Sequence, residues 1–426
     1  MRYGIFTFGS RGDIQPFIAL ALGLIDRGHQ VTMVAPSNFK DLVTGYGISF
    51  HAMSVNSEEI VNSVEFRNIV KSGNNFDFFL YSSRQSYKII PSLQKSLLEV
   101  CPDLDVMIFS HLMSIMLTAA EKFNLKWASV HVNPPGIIEI LDTSKDSSFN
   151  WGWLKRIKYK MASAAIGKLI MLDTKHFRKS LGLSSLKKTN VLPAVFYKNP
   201  LFLDCYSEQL VTDSLFQSVH KGNVVTGFFF LPENRRSEYI HEELSIWLQK
   251  GEKPIYIGFG SMPIPTPKVI IDIINEVLTK TELRIVFCQG WSDIMDFPVN
   301  PNLFIVKNID FEWLLPRCKM AVIHGGIGTL AHVLKNGIPV IIISLIADQP
   351  FWGNIITEKK LGIHIAWPEL TSKAFLNALN ELDNMEILVC VSQVSEKIRN
   401  ENGVRIAIDL MEHFFESMCQ NTNLTV

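Results

Sequence analysis

Short apolar runs alternate with longer segments of helical spacing along most of the chain, and turn residues separate them. Tyr3 to Phe8 is the first such run. Gly9-Ser10-Arg11-Gly12-Asp13 breaks it, Phe17 to Leu24 follows at helical spacing, and Gln30 to Ala35 returns to a strand pattern after Gly28-His29. Strand, turn, helix, strand is a βαβ unit and predicts a parallel sheet. Val106 to Phe109, Met113 to Phe123 and Trp127 to Val132 repeat the order, and Ser144 to Leu183 reads as helical and basic. A second series starts at Pro254 to Phe259, with a turn at Gly260-Ser261 and a helix from about Pro267 to Lys280. Arg284 to Gln289, Phe304 to Lys307, Met320 to His324 and Val340 to Ser344 supply its further strands. Between the series, Phe228 to Arg236 passes from apolar to polar through Pro232, which marks a linker. The pattern predicts an α/β protein of two facing, Rossmann-like, doubly wound domains. The expected boundaries are 1–230 for the first domain, 231–250 for the linker and 251–400 for the second, with a closing helix and tail over 401–426 that returns to the first.

Composition narrows the functional classes. At 426 residues and 47% hydrophobic, the chain has ample material for two buried cores. Its 41 basic and 41 acidic residues cancel, so it offers no general field for nucleic acid. Six cysteines without a C-x-x-C pair argue against a zinc ribbon or a thioredoxin-like site and fit a reducing cytosol. The opening apolar stretch is too short for a signal peptide. Ile338 to Ala347, the longest apolar stretch, is proline-led and β-branched, so it reads as a buried strand rather than a membrane helix. The expectation is a soluble, cytoplasmic protein.

In doubly wound sheets ligands bind outside the carboxyl ends of the strands. Four turns qualify: Gly9 to Asp13, the turn at Ser261, His324-Gly325-Gly326-Ile327-Gly328-Thr329, and Ala347 to Trp352. The three glycines of the third let backbone amides approach an anion, with a helix N-terminus behind them. The bland alternative is a tight βα turn with nothing bound. Gly326-x-Gly328-x-x-Ala331 also matches the dinucleotide fingerprint, with Asp348 about twenty residues on, which keeps an NAD(P)-dependent oxidoreductase in play. Against that class, the fingerprint sits deep inside the second series and Asp348 lies four residues beyond its strand.

Taken together, His324 to Thr329, Asn336-Gly337-Ile338-Pro339 and Asp348-Gln349-Pro350-Phe351-Trp352-Gly353 resemble the donor-sugar signature of the family 1 glycosyltransferases. Gly9 to Pro16 is similar to the opening of the sterol-glucosyltransferase and antibiotic-glycosyltransferase branches, and Gly258 to Met262 to the family's Gly-Phe-Gly-Ser-Met strand end. The resemblance spans about residues 1–410 and thins over 55–100 and 140–215, where such enzymes bind their acceptors. It implies the GT-B fold and inverting transfer of a hexose, usually glucose, from a UDP-sugar to the hydroxyl of an apolar small molecule such as a sterol, terpenoid, polyketide or phenolic. The UDP-sugar would be a co-substrate, with no cofactor and no metal.

By that resemblance Ser261, His324, Gly325, Gly326, Gly328 and Thr329 hold the diphosphate, Asn308 and Ile309 lie by the base, and Asp348 and Gln349 bind sugar hydroxyls. Ser10, Arg11 and Gly12 face the donor from the other domain. Asp13 is the candidate general base, because displacement at the anomeric carbon needs the acceptor hydroxyl deprotonated as it attacks; as a structural residue it would be a helix N-cap. Many relatives carry histidine there. The sequence also departs from the family at Ile323 before His324, at Leu330 for a second threonine, and at Phe311 in the base segment. Asp103-Leu104-Asp105 has the D-x-D shape of metal-dependent transferases but precedes its strand, on the edge away from the ligands.

Acceptor candidates are Phe79, His111 and Trp352. Phe79 stands in the aromatic stretch from Phe76 to Tyr87, and Trp151 and Trp153 add a second group. Lys155 to Lys160, flanked by Trp and Ile, has the composition of a segment that rests on an anionic membrane, with a solvated helix face as the plain alternative. A protein that binds a nucleotide sugar or lipid without turnover is the non-enzymatic rival, and Asp13 speaks against it. Oligomeric state is not set by the sequence.

Overall fold

The computed structural model of the protein describes residues 1–110, 113–134, 152–184, 201–211, 223–232, 242–292 and 297–422. The first series builds strands β1 (Arg2–Phe6), β2 (Gln30–Pro36), β3 (Ser49–Met53), β4 (Val106–Phe109), β5 (Lys126–His131), β6 (Phe202–Asp204) and β7 (Asn223–Val225). They pair in parallel in the order β3-β2-β1-β4-β5-β6-β7. The second builds β8 (Ile255–Gly258), β9 (Ile285–Cys288), β10 (Leu303–Val306), β11 (Met320–Ile323), β12 (Val340–Ser344) and β13 (Gly362–Ala366), in the parallel order β10-β9-β8-β11-β12-β13. Each sheet reverses its winding between its first strand and the fourth, β1 beside β4 and β8 beside β11. Those reversals open a crevice at the strand ends.

The helices that matter for the site are α1 (Arg11–Asp26), α2 (Asn75–Val100), α3 (Met113–Lys122), α4 (Gly152–Ser180), α5 (Pro267–Lys280), α6 (Ile327–Lys335), α7 (Gln349–Glu358), α8 (Met385–Asn400) and α9 (Gly403–Thr422). In α1, Ile14, Phe17, Ile18 and Leu20 are buried, and Gly28 supplies the left-handed backbone (φ 81°) that turns the chain into β2. Strands β3, β6, β7 and β13 were not expected. β6 and β7 have only three residues each, too few to show a period, and β3 and β13 carry half-exposed histidines.

Part of the expected linker folds with the second domain. Glu242–Gln249 is helical; Leu244 is fully buried in that domain's core, and Trp247 lies under the Arg284 guanidinium at 3.6 Å. The last helix, α9, crosses to the first domain. Ala407, Ile408, Met411 and Phe415 join the core under β1 and α1. Gly23 of α1 allows the approach, since a Cβ there would meet Val404 Cγ1 at 2.6 Å. Arg27 pairs with Asp409 and Glu412, and His29 Nε2 lies 2.9 Å from Glu412 Oε1. The crossing is back to back at Gly227 (φ 94°) and Gly403, where Glu401 accepts from Ser207. Phe415→Ala empties a fully buried site and should lower the first domain's stability by about 3–5 kcal/mol. An unchanged denaturation midpoint would show that α9 is not part of that core.

Candidate active site

The two crevices face each other, and the turn after β1 meets the turn after β11. A Cβ on Gly328 would lie 3.5 Å from Gly12 Cα and 3.9 Å from its carbonyl oxygen, ordinary van der Waals distances that put the two turns in contact. Asp13 is the third residue of α1, with Ser10 as the N-cap, rather than being the cap itself. The Ser10 N–H and hydroxyl donate to Asp13 Oδ2 at 2.7 and 3.0 Å, and Thr7 Oγ1 donates to the Asp13 carbonyl at 3.1 Å. Gly9 (φ 140°) makes this fold-back feasible, because a Cβ there would sit 2.3 Å from Asp13 Oδ2. The carboxylate is half-buried at the cleft, and Arg11 beside it is exposed and bonded to Gln15 at 3.2 Å. Burial raises the Cys288 thiol at the end of β9, and Arg11 is among the groups that pull it back, which puts that guanidinium close to the second sheet.

On the second domain, β11 delivers His324 and α6 starts from Gly326. The imidazole lies between two glycines: a Cβ on Gly326 would be 2.5 Å from Nε2, and one on Gly260 (φ 60°) would be 3.2 Å from Cε1. Burial lowers the His324 pKa to about 4, so the ring is neutral at pH 7. Its Nδ1 is buried without a hydrogen-bond partner among the described residues. Gly325 takes φ 93°, and a Cβ there would strike Ile342 Cγ2 at 2.7 Å. Gly328 and Thr329 lie half-exposed in the first turn of α6, and Ser261 lies half-exposed after β8. This arrangement presents backbone N–H groups and a neutral imidazole to the cleft, which suits a diphosphate.

Asp348 follows a strained residue. Ala347 adopts φ 65°, and its N–H is held by Asn75 Oδ1 from α2 of the first domain at 3.3 Å. Burial, and next the nearby Asp13 carboxylate, raise the Asp348 pKa to about 7, although a bond from Trp352 favours the charged form. That indole Nε1–H donates to Asp348 Oδ2 at 3.0 Å and to Asn133 Oδ1 of the first domain at 3.1 Å. Trp352 is fully buried, with its ring edge-on to Tyr206 at 5.9 Å. It therefore orients Asp348 instead of lining an acceptor pocket, contrary to expectation. Gln349 is also buried: its Oε1 accepts from the N–H groups of Leu345 and Ile346 at 2.8 and 3.1 Å, leaving its amide nitrogen as the group to offer a sugar.

The other expected residues are scattered. Asn308 is exposed and Ile309 half-buried after β10. Phe79 is half-buried with its ring 6.5 Å from Phe76, while Tyr81 is buried and bonded to the Ile60 carbonyl at 2.9 Å, so the aromatic stretch divides between half-buried positions and core. His111, Trp151 and the side chain of Trp153 lie outside the described residues. Asp105 meets Arg2 at 2.9 Å on the amino edge of the sheet, away from the cleft. Sequence reasoning missed Asn75, Asn133 and a buried cluster at Asp204, which is bonded by His131 Nδ1 at 3.2 Å, the Tyr206 hydroxyl at 3.0 Å and Asn223 Nδ2 at 3.0 Å. A signal existed for Asn133 alone, which stands at the end of a predicted strand.

Two family models match the chain, "Glycosyltransferase family 28 N-terminal domain" over residues 3–135 and "Erythromycin biosynthesis protein CIII-like, C-terminal domain" over residues 278–405. A sterol 3-beta-glucosyltransferase of Yarrowia lipolytica is 29% identical over 96% of this chain and 28% of its own length. One of Arabidopsis thaliana is 28% identical over 96% of this chain and 67% of its own. The chain thus spans little more than a quarter of the Yarrowia relative. Among solved structures, the glycosyltransferase of kitacinnamycin superposes with a TM-score of 0.70 at 16% identity, covering 97% of this chain and 98% of that one. VinC, a glycosyltransferase solved in complex with dTDP, superposes at 0.65 with 15% identity, covering 98% and 100%. The fold is GT-B. Both halves of the chain are similar to glycosyltransferases, and the family models and curated relatives agree with the resemblance to family 1 drawn from the sequence.

If Asp348 binds sugar hydroxyls, as the resemblance implies, its raised pKa makes nucleotide-sugar affinity depend on pH. Below about pH 7 the folded protein holds a proton that must leave before both oxygens can accept sugar hydroxyls, so affinity should rise as pH climbs through that value. Calorimetry with UDP-glucose should show the step in the native protein and not in Asp348→Asn; a step that persists in the variant belongs to another group. Trp352→Phe keeps a buried ring but loses the N–H. Affinity should fall about tenfold to a hundredfold, and the midpoint should move to higher pH because the bond favouring the carboxylate is gone. A weakened variant with an unmoved midpoint would make Trp352 a packing residue only.

Proposed function

We propose that the chain transfers a hexose, glucose in the first instance, from a UDP-sugar to the hydroxyl of an apolar small molecule by a single inverting displacement. The observation that carries this reading is the meeting of the β1 and β11 turns, which puts the Asp13 carboxylate across a cleft from Asp348 and the glycine loop. In the proposed step the acceptor hydroxyl gives its proton to Asp13 as its oxygen bonds to the anomeric carbon. The bond from that carbon to the diphosphate oxygen breaks, and its electron pair leaves with the nucleotide. The growing charge is met by the amides that open α6 and by N–H donation from a neutral His324, so its contribution is dipolar rather than a full positive charge. Asp348 and the Gln349 amide nitrogen hold sugar hydroxyls, with Asn75 and Trp352 fixing the loop that carries them. The proton on Asp13 returns to solvent after release.

A sterol is the favoured acceptor, because the curated relatives quoted above are sterol 3-beta-glucosyltransferases. UDP is the favoured nucleotide on the resemblance, and dTDP is the competitor raised by the VinC complex. The oxidoreductase reading has no comparable support: the glycine fingerprint follows β11 rather than β8, the opening strand of its sheet. We keep the domain division proposed from sequence, with the second domain extended to take in residues 242–249.

Mass spectrometry of a sterol incubated with UDP-glucose should show one added hexose. Asp13→Asn should cut turnover by about 10²–10⁴-fold while leaving calorimetric UDP affinity nearly intact. Near-normal turnover in the variant would remove Asp13 as base, and selective binding of NAD(P) over UDP and dTDP would remove the transferase reading.

A further inference from the structure

Helix α4 has an outward face unlike any balanced surface. Ile157, Met161, Leu169 and Leu172 are 43%, 68%, 50% and 52% exposed. With exposed Ala165 they recur every three or four residues and so share one side of the helix. Lys160, Lys168, Lys175 and Lys179, all exposed, fall within the same arc of about half the circumference. The helix contains eight Lys and Arg against a single acidic residue, Asp173, in a chain whose total charge is zero. Arg178 is accounted for, being buried against Glu121 at 2.6 Å. The opposite face is docked: Phe177 joins the core, and Thr174 meets Ser114 of α3 at 3.0 Å.

We infer that this face is a docking surface for an anionic lipid bilayer, on which α4 lies in the headgroup plane with its apolar residues inserted and its lysines on the phosphates. Charge is the argument for that occupant. The arc carries lysines with apolar side chains between them, and an anionic leaflet attracts every lysine on it while receiving those apolar side chains. No described helix is long and apolar enough to cross a membrane, so the contact is along the surface. The face also adjoins the cleft. Lys158 Nζ stands 3.8 Å over the Phe76 ring, and the neighbouring Asn75 holds Ala347 next to Asp348. Docking therefore brings the cleft to the membrane that carries an apolar acceptor; this last point rests on the proposed activity, whereas the docking does not.

Sedimentation with phosphatidylcholine vesicles, with and without phosphatidylserine, tests the inference. The intact chain should sediment with the phosphatidylserine vesicles and be released by salt. Lys160→Glu with Lys168→Glu and Lys175→Glu should weaken binding by about a hundredfold or more. Met161→Ser with Leu169→Ser and Leu172→Ser should weaken it independently of salt. Both triple variants should keep the native UDP affinity and turn over a detergent-dispersed sterol normally, which reports their folding. Equal binding to the two vesicle types, binding that survives charge reversal, or a dimer in sedimentation velocity that Met161→Glu dissolves would overturn the inference. Failure of vesicle binding with transfer intact in detergent defeats the docking alone; vesicle binding without any hexose transfer defeats the proposed activity alone.

Discussion

Two carboxylates held near each other by two separate domains set the terms for everything else in this molecule. Asp13 and Asp348 repel, and that repulsion, after burial, helps lift Asp348 toward neutrality. Such an approach persists only if the surrounding structure enforces it. The enforcement is visible on both sides: Ser10 clasps Asp13, while Asn75 and Asn133 reach from the first domain to hold the Asp348 loop in its left-handed turn. In the proposed complex a sugar hydroxyl would meet Asp348 and the acceptor hydroxyl would meet Asp13, so each carboxylate would gain a hydroxyl partner.

Crossing contacts explain how two independently wound sheets maintain that geometry. Helix α9 makes the first domain's core depend on the end of the chain, and the Gly227–Gly403 crossing brings both interdomain passages to one place. Tyr206 belongs to the first domain in sequence but packs with the second domain's core and against Trp352. Among the described residues the buried Asp204 takes bonds from His131, Tyr206 and Asn223, so the platform behind the Asp348 loop is polar and hydrogen-bonded.

Most of the architecture could be read from the chain because parallel strands buried on both faces are continuous apolar runs, and their glycine turns stand out between them. The donor edge was readable for the same reason, since Gly9, Gly260 and Gly325 mark turns whose backbone excludes side chains. What could not be read depends on contacts between residues far apart in sequence. Trp352 looked like a ligand-facing aromatic, yet Asn133 and Tyr206, both far away in sequence, help to bury it. The Glu242–Gln249 helix looked like linker until Leu244 and Trp247 found places in the second core. His324 was expected at the diphosphate, and only its surroundings show the ring to be neutral.

The arrangement proposed here places the base on one domain and the diphosphate on the other, with the anomeric carbon between them. Attack must then come from the face opposite the leaving group. Proton NMR of the product formed from α-linked UDP-glucose tests this directly. The account predicts a β-linked glucoside, and an α-linked product would contradict it.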